Sequence, residues 1–370
     1  MSVSTSPPVP TTESFTDPGW PANGWYAAAR SEELGPAPLA RTICGHNLVM
    51  FRQASGPATA LADACWHKLA PLSRGTVRGD TIVCPYHGLR YDGRGRCVHM
   101  PAQETVHPGA AVRAFPLVER HGLCWVWTGD PALADPAEIP DFHWNTDPEW
   151  VSAGSYMRLD CNYKLMIDNL MDLTHEEFVH ASTIGNEALS VAPFEVTHGE
   201  RTVTVTRWMT GIEAPPFWAG QLQKDCLVDR WQIVRFEGPS VVSINVGIAP
   251  TGTGAPQGDK SQGVDGYVLH AITPERDHSC HYFWAYARSY RTDEAGLTEK
   301  LVQGVGGIFA EDKAILEAQQ AAMSDNADKI FYNLNLDGGG LWARRVIDAR
   351  IAQERRAESR ENRENGQDPR

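Results

Sequence analysis

The chain has 370 residues, of which 42% are hydrophobic and 21% charged, an ordinary composition for a globular protein long enough to build two domains. Its 33 basic and 46 acidic side chains leave a net charge of −13, which repels nucleic-acid phosphates and anionic membranes and excludes both as expected partners. No run of 18 apolar residues occurs, the first residues resemble neither a signal peptide nor an anchor, and eight cysteines without a leader point to a reduced, cytoplasmic setting.

Residues 1–18, rich in Ser, Thr and Pro, are expected to form a disordered tail. Over 19–130, short apolar runs cut by Gly and Pro (LVMFR, TIVCPYHG, CWVWTG) predict a small all-β domain. Residues 131–144, rich in Pro and Asp, read as a linker. The second domain, 145–355, opens with a helix expected over about 164–179. Five segments with β-branched and aromatic alternation follow: TVTVTRW, VDRWQIVRF, SVVSINVGIA, GYVLHAI and CHYFWAYARSY. They predict one antiparallel sheet, interrupted by a Gly-rich loop at 252–263 and followed by a helix at about 294–323. The expected fold class is therefore α+β, with a charged, solvated tail at 356–370.

Within the first domain, Cys65-Trp66-His67 and Cys84-Pro85-Tyr86-His87 form the pattern C-x-H…C-x-x-H. Zinc sites generally pair like with like (C-x-x-C, H-x₃₋₅-H), whereas here each loop supplies one thiol and one imidazole. A Rieske [2Fe–2S] cluster needs that division, because two Cys bind one iron and two His the other. Gly88 is expected to let the backbone approach the inorganic sulfurs, and Ser73 to donate a potential-tuning hydrogen bond. Cys44, Cys97, Cys124, Cys161, Cys226 and Cys280 lack such partners and are expected to be small buried side chains.

A Rieske cluster transfers single electrons and breaks no substrate bonds, so the chain needs an acceptor. Asp172-Leu173-Thr174-His175, followed by His180, offers D-x-x-H-x₄-H. Two His and one carboxylate form a facial triad with open positions, as non-heme Fe(II) oxygenases require. At ~100° per residue, Asp168, Asn169, Asp172 and His175 share one helix face, while His175 and His180 lie about 140° apart. Convergence of the two rings thus predicts a π-bulge or a helix end between them. The third ligand is expected on the helix carrying Glu311 and Asp312.

The two motifs together resemble the Rieske non-heme iron aromatic oxygenases, from about Trp25 to Arg355. Within that family, NLMDLTHEEFVHASTIG, PPFW, VDRWQIVRF and FAEDKAILEAQQ are most similar to the vanillate O-demethylase type of oxygenase subunit. Trp66 and Lys68 depart from the Pro and Arg frequent in relatives without touching a ligand. The resemblance implies a Rieske domain followed by a helix-grip, START-like domain. It favours Asp312 over Glu311 as third ligand, places Asn169 near the iron, and implies a homotrimer arranged head to tail. Asp172 would then join His87 of one subunit to His175 of the next. It also implies a separate flavin/iron–sulfur reductase feeding NAD(P)H electrons, and O-demethylation of a methoxylated aromatic acid with O₂ to a phenol and formaldehyde.

An aromatic acid needs an apolar slot with polar anchors. Arg230 and Arg235 are candidates for a bidentate carboxylate clamp and, equally, for a purely structural role. Asn245 and His270 are expected to line the pocket; Phe217, Trp218 and Trp284 are candidates to pack on the ring, with plain core packing the favoured role for each. A Rieske electron carrier would need only the first 130 residues, and a ligand-binding helix-grip module would not need the triad. The nearer alternative is a monooxygenase for another para-substituted aromatic acid or a sulfonate.

Overall fold

The computed structural model describes residues 19–364; the expected tail at 1–18 and the last six residues of the chain lie outside the described residues. The chain forms two compact units. One contains Trp20–Asp141, with Thr273–Arg276 and the chain from Gln353; the other contains Phe142–Ile272 and Asp277–Ala352. Among the described residues, no helix is long and apolar enough to cross a membrane.

The first unit is all β. A strand at His46–Arg52 shows why its apolar run is continuous: Leu48 and Met50 feed one core with Tyr26 and Val126, while Val49 and Phe51 feed a second with Ile82 and Tyr91. Apolar residues on both faces are expected of a strand held between two cores. The second core supports a four-stranded antiparallel sheet, β1 (Thr76–Arg78), β2 (Thr81–Val83), β3 (Arg90–Asp92) and β4 (Cys97–His99). The Cys84–His87 motif lies in the loop between β2 and β3.

The second unit is built on a seven-stranded antiparallel sheet. Its strands are β5 (Val151–Leu159), β6 (Phe194–His198), β7 (Thr202–Ile212), β8 (Val228–Glu237), β9 (Val241–Pro250), β10 (Val264–Arg276) and β11 (Ser279–Arg288). Their spatial order is β5-β11-β10-β9-β8-β7-β6. The five expected strands are all present. The added strands β5 and β6 are half-exposed and lie at the edges; small and polar side chains blur the alternation in β5, and β6 alternates over only five residues. Every residue of β11 is buried.

Five helices matter to the site: α1 (Tyr163–Met171), α2 (Glu176–Val179), α3 (Pro216–Leu222), α4 (Leu297–Asp325) and α5 (Gly338–Glu364). The helix expected over 164–179 is broken. It ends at Met171, because Asp172 takes extended backbone angles (φ −120°, ψ 100°) and its carboxylate caps the next turn through Thr174 N–H at 2.9 Å. Asp168, Asn169, Asp172 and His175 therefore do not share one helix face. Helix α5 was not anticipated, and it carries the segment 356–364 that reads as a charged tail. Its opening Gly338-Gly339-Gly340 looks like a loop, yet the glycines serve close packing. A Cβ at Gly339 would lie 2.7 Å from the Met171 carbonyl, and one at Gly340 2.8 Å from Asp168 Oδ1.

Candidate active site

The two cysteine loops of the first unit close in the same way. In one, Leu69 N–H donates to the Cys65 carbonyl and Cys65 N–H to Ala70; in the other, Gly88 N–H donates to Cys84 and Cys84 N–H to Leu89. Both loops place their fifth residue in the left-handed region, Leu69 at φ 56° and Gly88 at φ 75°. That backbone demand, which glycine meets without strain, is the observed reason for Gly88. The side chains of Cys65 and Cys84 are buried. The rings of His67 and His87 stand at the exposed tip with their Nδ1 atoms 3.2 Å apart. Two thiols below and two converging ring nitrogens above fit a cluster with Cys on one iron and His on the other.

Two details differ from expectation. Ser73 turns away from the loops, with Oγ and N–H both donating to the Asp63 carboxylate at 2.5 and 2.7 Å. The hydroxyl that reaches a thiol is that of buried Tyr91, 3.1 Å from Cys65 Sγ. Its only sequence signal was a tyrosine in a β-strand beside the second motif. Of the six remaining cysteines, Cys226 is exposed and the other five are buried.

In the second unit, the broken helix brings His175 and His180 together. There is no π-bulge; α2 simply ends, and His180 leaves helical geometry at φ −113°, ψ 28°. The rings lie 5.3 Å apart at 74°. Both Nε2 atoms face Asp312 Oδ1 on α4, at 3.3 Å from His175 and 3.1 Å from His180. One ligand atom from each residue lies within 4.8 Å of the others, a spacing suited to one metal ion. Each ring directs its other nitrogen outward: His175 Nδ1 lies 2.5 Å from the Asp172 carbonyl, and His180 Nδ1 2.7 Å from Glu311 Oε2. Since a carbonyl and a carboxylate only accept, both Nδ1 atoms donate. In neutral rings both Nε2 atoms then turn a lone pair toward a carboxylate, an arrangement satisfied either by a metal ion bound between them or by a proton on the ring.

The carboxylate also favours the protonated rings. Burial opposes a charged His175 ring, but the Asp312 carboxylate outweighs it and raises the imidazole to about 9. His180 is raised for the same reason, again against burial. Burial alone would raise Asp312, yet the two rings hold it down at about 2. Asn169 Nδ2 donates to Asp312 Oδ1 at 3.1 Å, and Asn169 Oδ1 is buried without a partner. Asp172 meets His175 through its backbone carbonyl; its carboxylate caps Thr174 instead of holding the ring.

A cavity of about 80 Å³ opens against the triad. Phe217 and Trp218 of α3, with Ile244, Val268 and Ile308, make its wall largely apolar. His270 also lines it. Its Nδ1 pairs with the Tyr282 hydroxyl at 2.6 Å, while its buried Nε2 has no partner. Burial lowers the His270 imidazole to about 3, so the ring is neutral.

The expected arginine clamp is not formed. Residues 230 and 235 differ by an odd number along β8 and point to opposite faces. Arg235 is exposed and pairs with Glu237. Arg230 is fully buried beside the cavity; its two terminal nitrogens donate to Glu176 Oε2 at 2.8 Å and the Ile184 carbonyl at 2.9 Å, and its Nε has no partner. Asn245 lies on the face opposite Ile244, bonded to Trp231 Nε1, Lys260 and Asp265. Trp284 packs edge-on behind Phe309 at 5.2 Å. Glu176 was missed by sequence reasoning. It is 5% exposed, accepts from both Arg230 and Gln232, and fastens α2 to the sheet.

Comparison with known proteins decides the family. Residues 24–116 match the Rieske [2Fe-2S] domain model, and 159–353 match the vanillate O-demethylase oxygenase C-terminal domain model. The chain belongs to the Rieske non-heme iron oxygenases. This oxygenase is 42% identical to a vanillate O-demethylase oxygenase subunit of Pseudomonas sp. (strain HR199 / DSM 7063), over 91% of this chain and 97% of that protein. It is 41% identical to a putative toluene-4-sulfonate monooxygenase iron–sulfur subunit of Comamonas testosteroni, over 86% and 94% of the two chains. The crystal structure of dicamba monooxygenase bound to dicamba superposes with a TM-score of 0.83 at 36% identity, covering 91% of this chain and 99% of that one. The oxygenase is thus the terminal component of a Rieske monooxygenase system that draws its electrons from a separate reductase.

Proposed function

We propose that the oxygenase O-demethylates a methoxylated aromatic acid of the vanillate class, giving the phenol and formaldehyde. The observation that carries this reading is the apolar cavity bounded on one side by His175, His180 and Asp312 and holding one unpartnered neutral imidazole, His270. A mononuclear Fe(II) held by those three side chains would supply O₂ activation, and a [2Fe–2S] cluster held by Cys65, Cys84, His67 and His87 would supply single electrons.

The protein's own part follows from the geometry. The Nδ1 protons of His175 and His180 stay on the Asp172 carbonyl and Glu311, which keeps both Nε2 atoms free to ligate. Phe217, Trp218 and Ile308 exclude water and give the ring an apolar wall beside the triad. His270 Nε2 donates to an oxygen of the substrate, its proton fixed there when the Tyr282 hydroxyl donates to Nδ1. Arg230 is neutralised by Glu176, and only its buried Nε is left without a partner beside the cavity. The balanced change is methyl ether, O₂, NAD(P)H and a proton to phenol, formaldehyde, NAD(P)⁺ and water.

The assembly in this reading is a cytoplasmic homotrimer in which the cluster tip of one subunit meets Asp172 of the next. Two exposed surfaces support it. Around the cluster, Trp66, Leu69 and Tyr86 are 42%, 73% and 65% exposed. Around Asp172 and His175, a groove of about 870 Å³ is flanked by exposed Ile330 and Tyr332. Large apolar side chains beside a redox site are what a docking surface requires.

The test is anaerobic reconstitution with iron, followed by turnover of a methoxybenzoate panel with formaldehyde detection. Formaldehyde in proportion to NAD(P)H consumed is expected. The similarity to a toluene-4-sulfonate monooxygenase subunit makes that sulfonate the necessary second arm. Its oxidation without formaldehyde from any methoxybenzoate would replace the demethylase reading.

A further inference from the structure

Glu311 and Asp312 are neighbours on α4, so their side chains leave the helix about 100° apart and cannot both aim at one point. The structure uses this divergence on a single ring. Asp312 Oδ1 faces His180 Nε2 at 3.1 Å, and Glu311 Oε2 accepts from His180 Nδ1 at 2.7 Å. The imidazole is gripped at both nitrogens by consecutive carboxylates of one helix. His175 is held differently, its Nδ1 donating to a neutral backbone carbonyl, that of Asp172.

The two rings are therefore unequal. A charged acceptor makes the stronger bond and draws the Nδ1 proton further from the ring, which leaves more electron density on Nε2. A carbonyl does this weakly. Geometry adds to the difference. Position 311 is fixed by a 29-residue helix, whereas Asp172 sits in the break between α1 and the following turn. Glu311 also balances charge: with Asp312 it would bring two negative charges to a divalent ion.

We propose that Glu311 is a positioning residue that makes His180 the stronger of the two imidazole ligands and sets the affinity of the mononuclear site. The proposal rests on the triad reading above, and the experiment separates the two. The full-length oxygenase, purified with its cluster intact, is stripped of mononuclear metal. Co(II) is then titrated in against a chelator, and its ligand-field absorption is recorded. Wild type, Glu311→Gln, Glu311→Ala and His180→Ala are compared.

Glu311→Gln keeps the shape and an acceptor oxygen but not the charge. It should weaken Co(II) binding by about 10-fold, and Glu311→Ala by up to about 100-fold, the range found when such outer partners are removed. Both should shift the Co(II) bands and leave the cluster spectrum unchanged. Wild-type affinity and bands in the Gln and Ala variants, with binding lost in His180→Ala, would overturn the role of Glu311 and keep the triad. Unchanged binding in His180→Ala would instead overturn the triad. The isosteric Gln variant decides the matter if the Ala variant fails to fold.

Discussion

The two candidate metal centres are built on opposite plans. The cluster ligands come from two loops within Cys65–His87, each closed by its own backbone hydrogen bonds and each displaying its histidine at an exposed tip. The triad draws on residues far apart in the chain, and His180 and Asp312 are buried. A site meant to pass electrons must be reachable by a partner, and local loops on a small β scaffold can expose it without cost to a core. A site meant to control O₂ must exclude water, so its ligands have to come from elements that pack against one another.

Removing ligands gives the largest effects and tests whether the centres are as separate as their construction implies. Cys84→Ser should abolish the cluster spectrum and turnover while leaving one mononuclear metal bound. His180→Ala should abolish turnover and mononuclear binding while leaving the cluster spectrum intact. Loss of both centres in either variant, by metal analysis and absorption, would mean that they fold as one.

Next is the residue proposed to join them. Asn at position 172 can still cap Thr174 N–H and leaves the backbone carbonyl that holds His175. Asn caps a helical turn about as well as Asp, so Asp172→Asn should keep both centres and change stability by no more than about 0.5 kcal/mol. If this carboxylate accepts from His87 of the next subunit as proposed, turnover should nonetheless fall to background. Wild-type turnover in this variant would remove the bridge role of Asp172.

A third variant separates structure from binding. Arg230→Met leaves Glu176 as an uncompensated buried carboxylate and should destabilise the second unit by about 3–5 kcal/mol. Urea unfolding followed by tryptophan fluorescence measures this. A stable variant with a raised KM would return Arg230 to the role of substrate anchor.

These cases also explain what was legible in the sequence. The cluster loops could be read because spacing alone carries their chemistry. The five strands could be read because alternation survives in Val228–Glu237 and its neighbours. The break at Asp172 could be deduced only in outline, from the angle that separates His175 and His180. The substrate contacts were poorly legible because they depend on facing. Asn245 and Ile244 are adjacent in sequence yet lie on opposite sides of the sheet, and Arg230 looks free until Glu176 is placed beside it. Helix α5 was hidden by glycines whose purpose, close approach to α1, exists only in three dimensions.

His270 gives a smaller effect through pH. Its folded value is depressed to about 3, against an ordinary 6.5, because the ring is buried. The unfolded chain therefore takes up a proton that the folded chain refuses as pH falls below 6.5. The contribution to stability is fully present above 6.5 and is lost on descent toward 3. His270→Gln should flatten the loss of the urea midpoint between pH 7.5 and pH 5.5; parallel slopes would show that the ring is not held neutral.

The smallest expected change returns to the cluster and its two hydroxyls. Hydrogen bonds to cysteine sulfur stabilise the reduced, more negative cluster and raise its potential. Tyr91 reaches Cys65 Sγ, whereas Ser73 is spent on Asp63. Tyr91→Phe should lower the midpoint potential, measured by redox titration of the visible spectrum, with little change in the triad's metal affinity. Ser73→Ala should leave the potential where it is. The reverse pattern would place the serine, not the tyrosine, in the cluster's hydrogen-bond shell. Because each cluster loop closes on itself, neither change should propagate to the second unit. A shift in mononuclear metal affinity on Tyr91→Phe would therefore contradict the independence of the two constructions more directly than any loss of activity.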